Sequence, residues 1–106
     1  MSATIKYFED SILVCIDGEL DHHSASLIRA GIDEAVIRCR PKSLTLDFSG
    51  VGFMDSSGVG LVMGRYKLMK AISGKVEITG LSPIALKMMQ LAGIERIATI
   101  KEKTTV

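Results

Sequence analysis

The sequence predicts a single α/β domain over residues 1–106, with helices packed on a mixed β-sheet. Segments with apolar residues at every second position alternate along the chain with longer segments whose apolar residues recur at helical spacing. A chain of 106 residues is long enough for one hydrophobic core and too short for two. The predicted order is β-β-α-β-α-β-α-β, in which strands joined by helical crossovers run parallel.

A β-hairpin is predicted at the start of the chain. Residues 4–8 and 12–17 have the pattern of strands, joined by Glu9-Asp10-Ser11 and ended by Gly18. The second of these strands is continuously apolar over five residues, 12–16, which predicts burial on both faces of the sheet.

The first helix is predicted to begin at Asp21-His22-His23-Ser24 and to end before Pro41, which cannot continue it. A third strand follows at residues 44–48, where apolar residues again alternate. The predicted inner stripe of the helix consists of Ala25, Ile28, Ile32, Ala35 and Val36.

The second helix is predicted over residues 57–72 and ends at Ser73-Gly74. Residues 75–79 alternate as a fourth strand does. The inner stripe predicted for this helix consists of Val59, Val62, Met63, Tyr66 and Met69, with polar positions at Arg65, Lys67 and Lys70.

The third helix has clear start and stop signals. Ser82 is a candidate cap, Pro83 fits the first turn, and Gly93 follows the last periodic residue. Residues 97–100 form a short final strand, and residues 101–106 are expected to fray. The predicted inner stripe consists of Ile84, Met88 and Leu91.

The composition limits the classes of partner. The formal net charge is +1, and the densest basic group, Arg38, Arg40 and Lys42, contains no aromatic residue for base stacking, so we expect no direct binding of nucleic acid. No apolar run approaches the roughly 18 residues that span a bilayer, so we expect no membrane segment. Cys15 and Cys39 have neither metal-site nor redox spacing. Together these features predict a cytoplasmic protein in a reducing compartment.

The segment Phe53-Met54-Asp55-Ser56-Ser57-Gly58 lies between a predicted strand and a predicted helix. A serine at such a junction can cap the helix, hold an anion on its free N–H groups, or carry a phosphate. Capping by Asp55 or Ser56 is the simplest interpretation. However, two hydroxyls and a carboxylate exceed what one cap requires, and each helical glycine lowers helix propensity by about 1 kcal/mol. Three glycines follow at Gly58, Gly60 and Gly64.

A second polar segment, Asp21-His22-His23, follows the second strand. Because the carboxyl ends of parallel strands meet at one edge of a sheet, we expect this segment and Ser56 to lie at the same end of the molecule. Asp21 fits a helix cap and a partner contact equally well. The two histidines fit partner contacts or solvated positions better than a zinc site, since no well-spaced third ligand accompanies them.

These residues resemble the anti-sigma factor antagonists of the STAS family, and the sporulation-type antagonists of sigma-F regulation in particular. The resemblance extends over nearly the whole chain. Asp-Ser-Ser-Gly followed by a glycine-bearing helix is its most specific element. The segments that carry it are Gly18-Glu19-Leu20-Asp21-His22-His23, Phe53-Met54-Asp55-Ser56-Ser57-Gly58-Val59-Gly60, Gly64-Arg65-Tyr66-Lys67 and Ser82-Pro83.

The resemblance implies a STAS-type domain without a catalytic site, cofactor or metal of its own. The serine after the motif aspartate, here Ser56, is phosphorylated in that family by an anti-sigma factor that is also an ATP-dependent serine kinase. The unphosphorylated antagonist binds this kinase and frees the sigma factor, and a serine phosphatase reverses the modification. The expected partner-binding residues are Asp21, His22, His23, Asp55, Ser56, Ser57 and Gly58.

Other functions stay open at this point. An antagonist of the same fold in a general-stress or other kinase pathway would use the same switch, and the segment before the motif resembles the wider family as much as the sporulation branch. A serine hydrolase would need Ser56, Asp21 and a histidine in a triad, but the Gly-x-Ser-x-Gly elbow is missing. Leu86 and Met89 could form an apolar patch for self-association.

Overall fold

A computed structural model describes residues 2–101 and confirms the predicted fold class and element order. One short 3-10 helix, Ile94–Arg96, adds to the predicted elements. The tail was predicted to fray from residue 101, but Lys101 belongs to the last strand and pairs with Thr79. Residues 102–106 of that tail lie outside the described part of the chain. The strands are β1 (Ser2–Tyr7), β2 (Ser11–Leu20), β3 (Ser43–Met54), β4 (Lys75–Thr79) and β5 (Thr99–Lys101), and the helices are α1 (His22–Cys39), α2 (Ser56–Ala71) and α3 (Pro83–Leu91).

The five strands form one mixed sheet in the order β1-β2-β3-β4-β5. β1 pairs with β2 antiparallel, and the other neighbours are parallel because a helix returns the chain between them. Val14 lies opposite Leu46, and Leu46 lies opposite Ile78, so apolar residues align in rows across one face. These three side chains are fully buried. The hydrophobic core lies against that face of the sheet.

The helices cover this face of the sheet. α1 contacts β1 and β2, α2 contacts β3 and β4, and α3 contacts α2 and the 3-10 helix. The inner stripe predicted for α1 is confirmed, since all five of its members are buried. No helix within residues 2–101 is long and apolar enough to cross a membrane.

The prediction that β2 is buried on both faces is wrong. Val14 and Ile16 point into the core, whereas Leu13 and Cys15 on the other face are only partly buried. The helices pack on the face that carries Val14, so the continuous apolar run reflects one buried and one half-exposed face.

β2 and β3 both extend beyond their predicted ends at Asp17 and Phe48. β2 continues to Leu20 through two register shifts, with Gly18 at a positive φ of 100°. β3 continues to Met54, although its glycines interrupt the apolar alternation. Each strand therefore provides the backbone hydrogen-bond partners of the other over this extension. The segments that follow the two strands begin at the same end of the sheet.

The inward faces of α2 and α3 differ from the predicted stripes. In α2, Leu61 and Arg65 are buried, while Met63 is 38% exposed. In α3, Ala85 and Met89 are buried, so the suggestion that Met89 lies on a surface patch is wrong. The predicted stripe residues Ile84 and Leu91 are instead 76% and 79% exposed. The small residue Ala85 and the charged residue Arg65 thus take inward positions, which a stripe of large apolar residues does not predict.

The chain after α3 also differs from the prediction. Gly93 adopts the left-handed conformation at a φ of 76°, and the chain then forms the 3-10 helix. Ile94 is buried there. The last strand is β5, two residues later than the predicted start at residue 97. The short helix occupies residues 94–96, between the predicted end of the third helix and the predicted last strand.

Candidate functional site

The two polar segments predicted to lie at the same end of the molecule are adjacent in the structure. Leu20 lies opposite Met54 at the ends of β2 and β3, and Asp21 and Asp55 follow them. The backbone N–H of Asp55 donates to the carbonyl oxygen of Leu20 at 3.2 Å. This bond joins the starts of α1 and α2, so the predicted placement at one end of the sheet is confirmed.

Asp55 is the cap of α2. Its carboxylate Oδ1 accepts the backbone N–H of Ser57 at 2.8 Å, and its carbonyl oxygen accepts that of Gly58 at 3.1 Å. Ser56 is therefore the first helical residue and not the cap, and it is exposed. Its hydroxyl is available at the positive end of the helix dipole, where a negative charge is favoured.

Asp21 caps α1 through a capping box with Ser24. The Asp21 carboxylate accepts the Ser24 N–H at 2.9 Å, and the Ser24 hydroxyl accepts the Asp21 N–H at 2.9 Å. The bond from the Ser24 backbone is the main reason that the pKa of Asp21 is lowered, and the Ser24 hydroxyl adds to this effect. Asp21 is exposed, so the cap leaves it accessible.

The two histidines lie on different sides of α1. His22 lines a cleft of about 340 Å³ between α1 and α2, together with Ser57 and Gly60 of α2. His23 instead faces a cavity beside β1, lined in part by Ala3. The helical step between neighbouring residues separates the pair, although both side chains are exposed. Only His22 shares a cleft with the start of α2.

The arrangement assembles neither a metal centre nor a catalytic triad. No group of three or more His, Cys, Asp or Glu side chains that could hold a metal occurs in the described part of the chain. The Asp21 carboxylate is occupied by Ser24, and Ser56 forms no side-chain hydrogen bond with either histidine within residues 2–101. A triad requires such bonds from nucleophile to base to carboxylate. The geometry therefore does not favour the hydrolase.

Gly58 and Gly60 occupy different surroundings on α2. A Cβ atom at Gly58 would overlap the side chain of Met54, so this glycine allows Met54 to pack against the helix. A Cβ atom at Gly60 would have nothing within 4 Å. Internal packing therefore explains the glycine at position 58 but not the one at position 60.

An exposed aromatic side chain beside the site did not emerge from the sequence analysis. Phe53 is 56% exposed, three residues before Ser56. It borders an apolar cavity of about 160 Å³ between the end of β3 and the start of α3, which Val51 and Ile84 also line. Continuing the period-two pattern of β3 through position 53 would have placed this residue on the outer face and identified it.

The fold and the site define the class of this protein. The family model for the STAS domain matches residues 3–105. The chain therefore belongs to the STAS domain family. The strand order and the three helices agree with that assignment.

Within the family, the chain is similar to anti-sigma factor antagonists. It is 34% identical over 89 residues to an anti-sigma F factor antagonist from Paenibacillus polymyxa, covering 84% of this chain and 76% of that protein. It is 27% identical over 104 residues to an anti-sigma-B factor antagonist from Bacillus subtilis, covering 98% of this chain and 94% of that protein.

Solved structures of SpoIIAA, an anti-sigma factor antagonist, resemble this chain in both of its states. The unphosphorylated form matches with a TM-score of 0.85 and 31% identity, over 97% of this chain and 89% of that one. The phosphorylated form of the Bacillus protein matches with a TM-score of 0.79 and 31% identity, over 97% and 92%.

The cap at Asp21 makes stability depend on pH. Because its folded-state pKa is lowered, the ionised carboxylate contributes stability that is present above the unfolded pKa of about 3.9 and lost as the pH falls through the lower folded pKa. Asp21→Asn keeps a capping oxygen without the charge. We expect the advantage of wild type over this variant in thermal melts to shrink below about pH 4. If the difference in thermal midpoint between wild type and Asp21→Asn stayed constant down to about pH 2.5, the Asp21 charge would not be the source of this stability.

The two glycines of α2 should respond oppositely to alanine. Gly60→Ala should stabilise the protein by up to about 1 kcal/mol, because helix propensity rises and the new methyl group meets open space. Gly58→Ala should destabilise it by about 1 kcal/mol, since overpacking against Met54 exceeds the gain in propensity. Urea unfolding measures both free energies. Equal changes in the two variants would show that Met54 does not restrict position 58.

Proposed function

We propose that this protein is an anti-anti-sigma factor that acts by partner switching. The unphosphorylated form binds an anti-sigma factor that is also a serine kinase, and this binding releases the sigma factor. Phosphorylation of Ser56 ends the binding until a serine phosphatase removes the phosphate. The observation that carries the proposal is the position of Ser56, which is exposed at the start of α2 while Asp55 serves as the cap.

The helix start makes a phosphate on Ser56 compatible with the fold. The phosphate adds a charge of about −1.5 to −2 at pH 7, and the helix dipole favours a negative group at this end. Ser56 is exposed, so a phosphate does not have to displace buried side chains. The modification therefore acts on the surface presented to the partner.

The same charge disfavours the complex. The Asp55 carboxylate lies at the preceding residue, so the phosphate creates a concentrated negative patch. A partner that accepts a neutral serine here would have to desolvate this patch or meet it with like charges. Binding is thus lost through local electrostatics and not through unfolding.

The proposed partner surface centres on the joined starts of α1 and α2. His22 and Ser57 line the same cleft, and the backbone bond between Leu20 and Asp55 holds the two segments together. Gly58 serves this surface indirectly, by allowing Met54 to pack beneath it. His23 lies at the margin, on the β1 side of α1. The full proposed set is Asp21, His22, His23, Asp55, Ser56, Ser57 and Gly58.

The kinase, and not this chain, uses ATP in the proposed cycle, which takes place in the cytoplasm. We assign the cycle to the sporulation sigma-F pathway, because identity to the sigma-F antagonist exceeds identity to the sigma-B antagonist. A general-stress pathway is the alternative, with the same switch and another sigma factor. Binding assays with the two classes of anti-sigma kinase distinguish them.

Intact mass after incubation with ATP and an anti-sigma kinase tests the modified residue. We expect one added phosphate in wild type and Ser57→Ala, and none in Ser56→Ala. Ser57→Ala is a matched control, since Ser57 enters the Asp55 cap through its backbone N–H, which alanine retains. Phosphate retained in Ser56→Ala would refute the assignment. If the kinase bound the protein but phosphorylated no variant, the proposed docking surface would stand and the proposed regulation by phosphorylation would be refuted.

Comparison of the two forms tests whether the switch is local. We expect thermal midpoints within about 5 °C of each other, because a charge at a helix start changes stability by no more than about 1 kcal/mol. The affinity for the kinase should fall at least about tenfold on phosphorylation. Circular dichroism and titration calorimetry on purified forms measure both. An unfolded phosphoprotein would contradict an electrostatic switch.

A further inference from the structure

Arg65 is a buried charged residue in the middle of α2. It is 5% exposed, although it was expected on the polar side of the helix. It belongs to the segment Gly64-Arg65-Tyr66-Lys67, to which the proposed switch assigns no role. A charge in this position needs a partner, because transfer of an unpaired ion from water into the protein interior is costly.

The partner of Arg65 is Asp33 of α1. The Nε atom of Arg65 lies 2.8 Å from Oδ1 of Asp33, and Nη2 donates to Oδ2 at 3.4 Å. Within the described residues, Nε and Nη1 of Arg65 and Oδ1 of Asp33 have no hydrogen-bond partner, so the close approach of Nε to Oδ1 is an ion pair without hydrogen-bond geometry. Burial lowers the pKa of Arg65, the attraction of Asp33 opposes this effect, and repulsion from Arg29 adds to it. The pair therefore links two helices at some electrostatic cost.

Such a pair contributes geometry more than stability. Only the Arg65 side of the pair is fully buried, since the Asp33 side chain is 32% exposed. Replacing a buried ion pair by apolar residues of similar volume is often neutral or stabilising, since the charges no longer have to be desolvated. A guanidinium facing a carboxylate, in contrast, is satisfied in few relative arrangements of the two helices. Packing of ordinary apolar side chains tolerates more variation in helix spacing.

The pair lies at the far end of the cleft that His22 lines. Asp33 is about 18 Å along α1 from Asp21, and Arg65 is about 13 Å along α2 from Ser56, at 1.5 Å per residue. At the near end, the backbone bond from Asp55 to Leu20 joins the cap of α2 to the end of β2, two residues before α1 begins. α1 and α2 are thus held at two points, with the cleft between them.

α1 and α2 also pack against each other between these two points. Ala25 and Leu61 line the cleft and are buried, whereas Ser26 and Arg29 are exposed. A Cβ atom at Gly60 or Gly64 would meet no atom within 4 Å, so neither position presses on α1. The ion pair therefore adds a directional contact between the two helices to their apolar packing.

We propose that the Asp33–Arg65 pair is a positioning device that fixes α1 relative to α2 and thereby shapes the surface on which Ser56 is presented to the kinase. The positional part of this inference concerns the free protein. The functional part rests on the proposed partner switching, because it needs a partner that contacts both helices.

The test replaces both charges by apolar residues, in Asp33→Leu/Arg65→Met. We expect the thermal midpoint to be retained or raised, and the backbone amide resonances of residues 22–29 and 56–64 to shift in the free protein. With the anti-sigma kinase, the affinity should fall about tenfold, and KM for phosphorylation should rise while kcat changes less than about twofold. Ser56 and its cap are unchanged, so chemistry should proceed once the complex forms.

Two further variants serve as controls. Lys101→Met removes the ion pair with Glu77, which has a 3.2 Å separation at the other side of the sheet, and should leave affinity and KM unchanged. Arg65→Lys keeps the charge but loses the forked geometry, so its KM should lie between those of wild type and the double variant. If the double variant does not fold, the KM of Arg65→Lys still tests the proposal.

The inference would be overturned by amide resonances that do not move in the double variant, or by resonances that move while affinity and KM stay at wild-type values. Equal loss of binding in Lys101→Met would also overturn it. Failure of wild type to bind or be phosphorylated would instead refute the proposed function. The amide resonances of the free protein would still decide whether the pair positions the helices.

Discussion

The parallel pairing of β2 with β3, continued to Leu20 and Met54, is the interaction on which the rest of the site depends. It brings the starts of α1 and α2 side by side, because each helix begins two residues after its strand ends. The bond from the Asp55 N–H to the Leu20 carbonyl oxygen completes the ladder at this point. Without the extension beyond Asp17 and Phe48, the two caps would belong to separate loops.

Local signals in the sequence predict most of the fold, while contacts between distant segments determine the parts that were missed. The stripe of α1 and the bounds of β4 follow from periodicity within a few residues. The ends of β2 and β3 do not, because Gly18 and the glycines of β3 interrupt the pattern that pairing then overrides. The burial of Arg65 depends on Asp33, which lies 32 residues away in the chain.

The candidate site likewise combines features that local sequence signals predict with features that depend on distant contacts. The placement of Asp21 and Asp55 at one end of the sheet follows from the rule for parallel strands. Residue type predicted a cap at Asp55 or Ser56, and the contact from the Ser57 N–H assigns it to Asp55. The separation of His22 from His23 depends on how α1 is rotated on the sheet. That rotation is set by the inner stripe, so neighbouring residues in the sequence need not serve one surface.

A switch of this kind requires that the modified residue contribute little to the fold, and the structure meets this requirement by dividing two tasks between neighbours. Asp55 caps α2 with its carboxylate, so the Ser56 hydroxyl is free for chemistry. If the serine were the cap, phosphorylation would exchange one helix contact for another and alter both stability and surface. Because the cap precedes the serine, the proposed phosphate would change the charge of the surface while the helix start keeps its own hydrogen bonds.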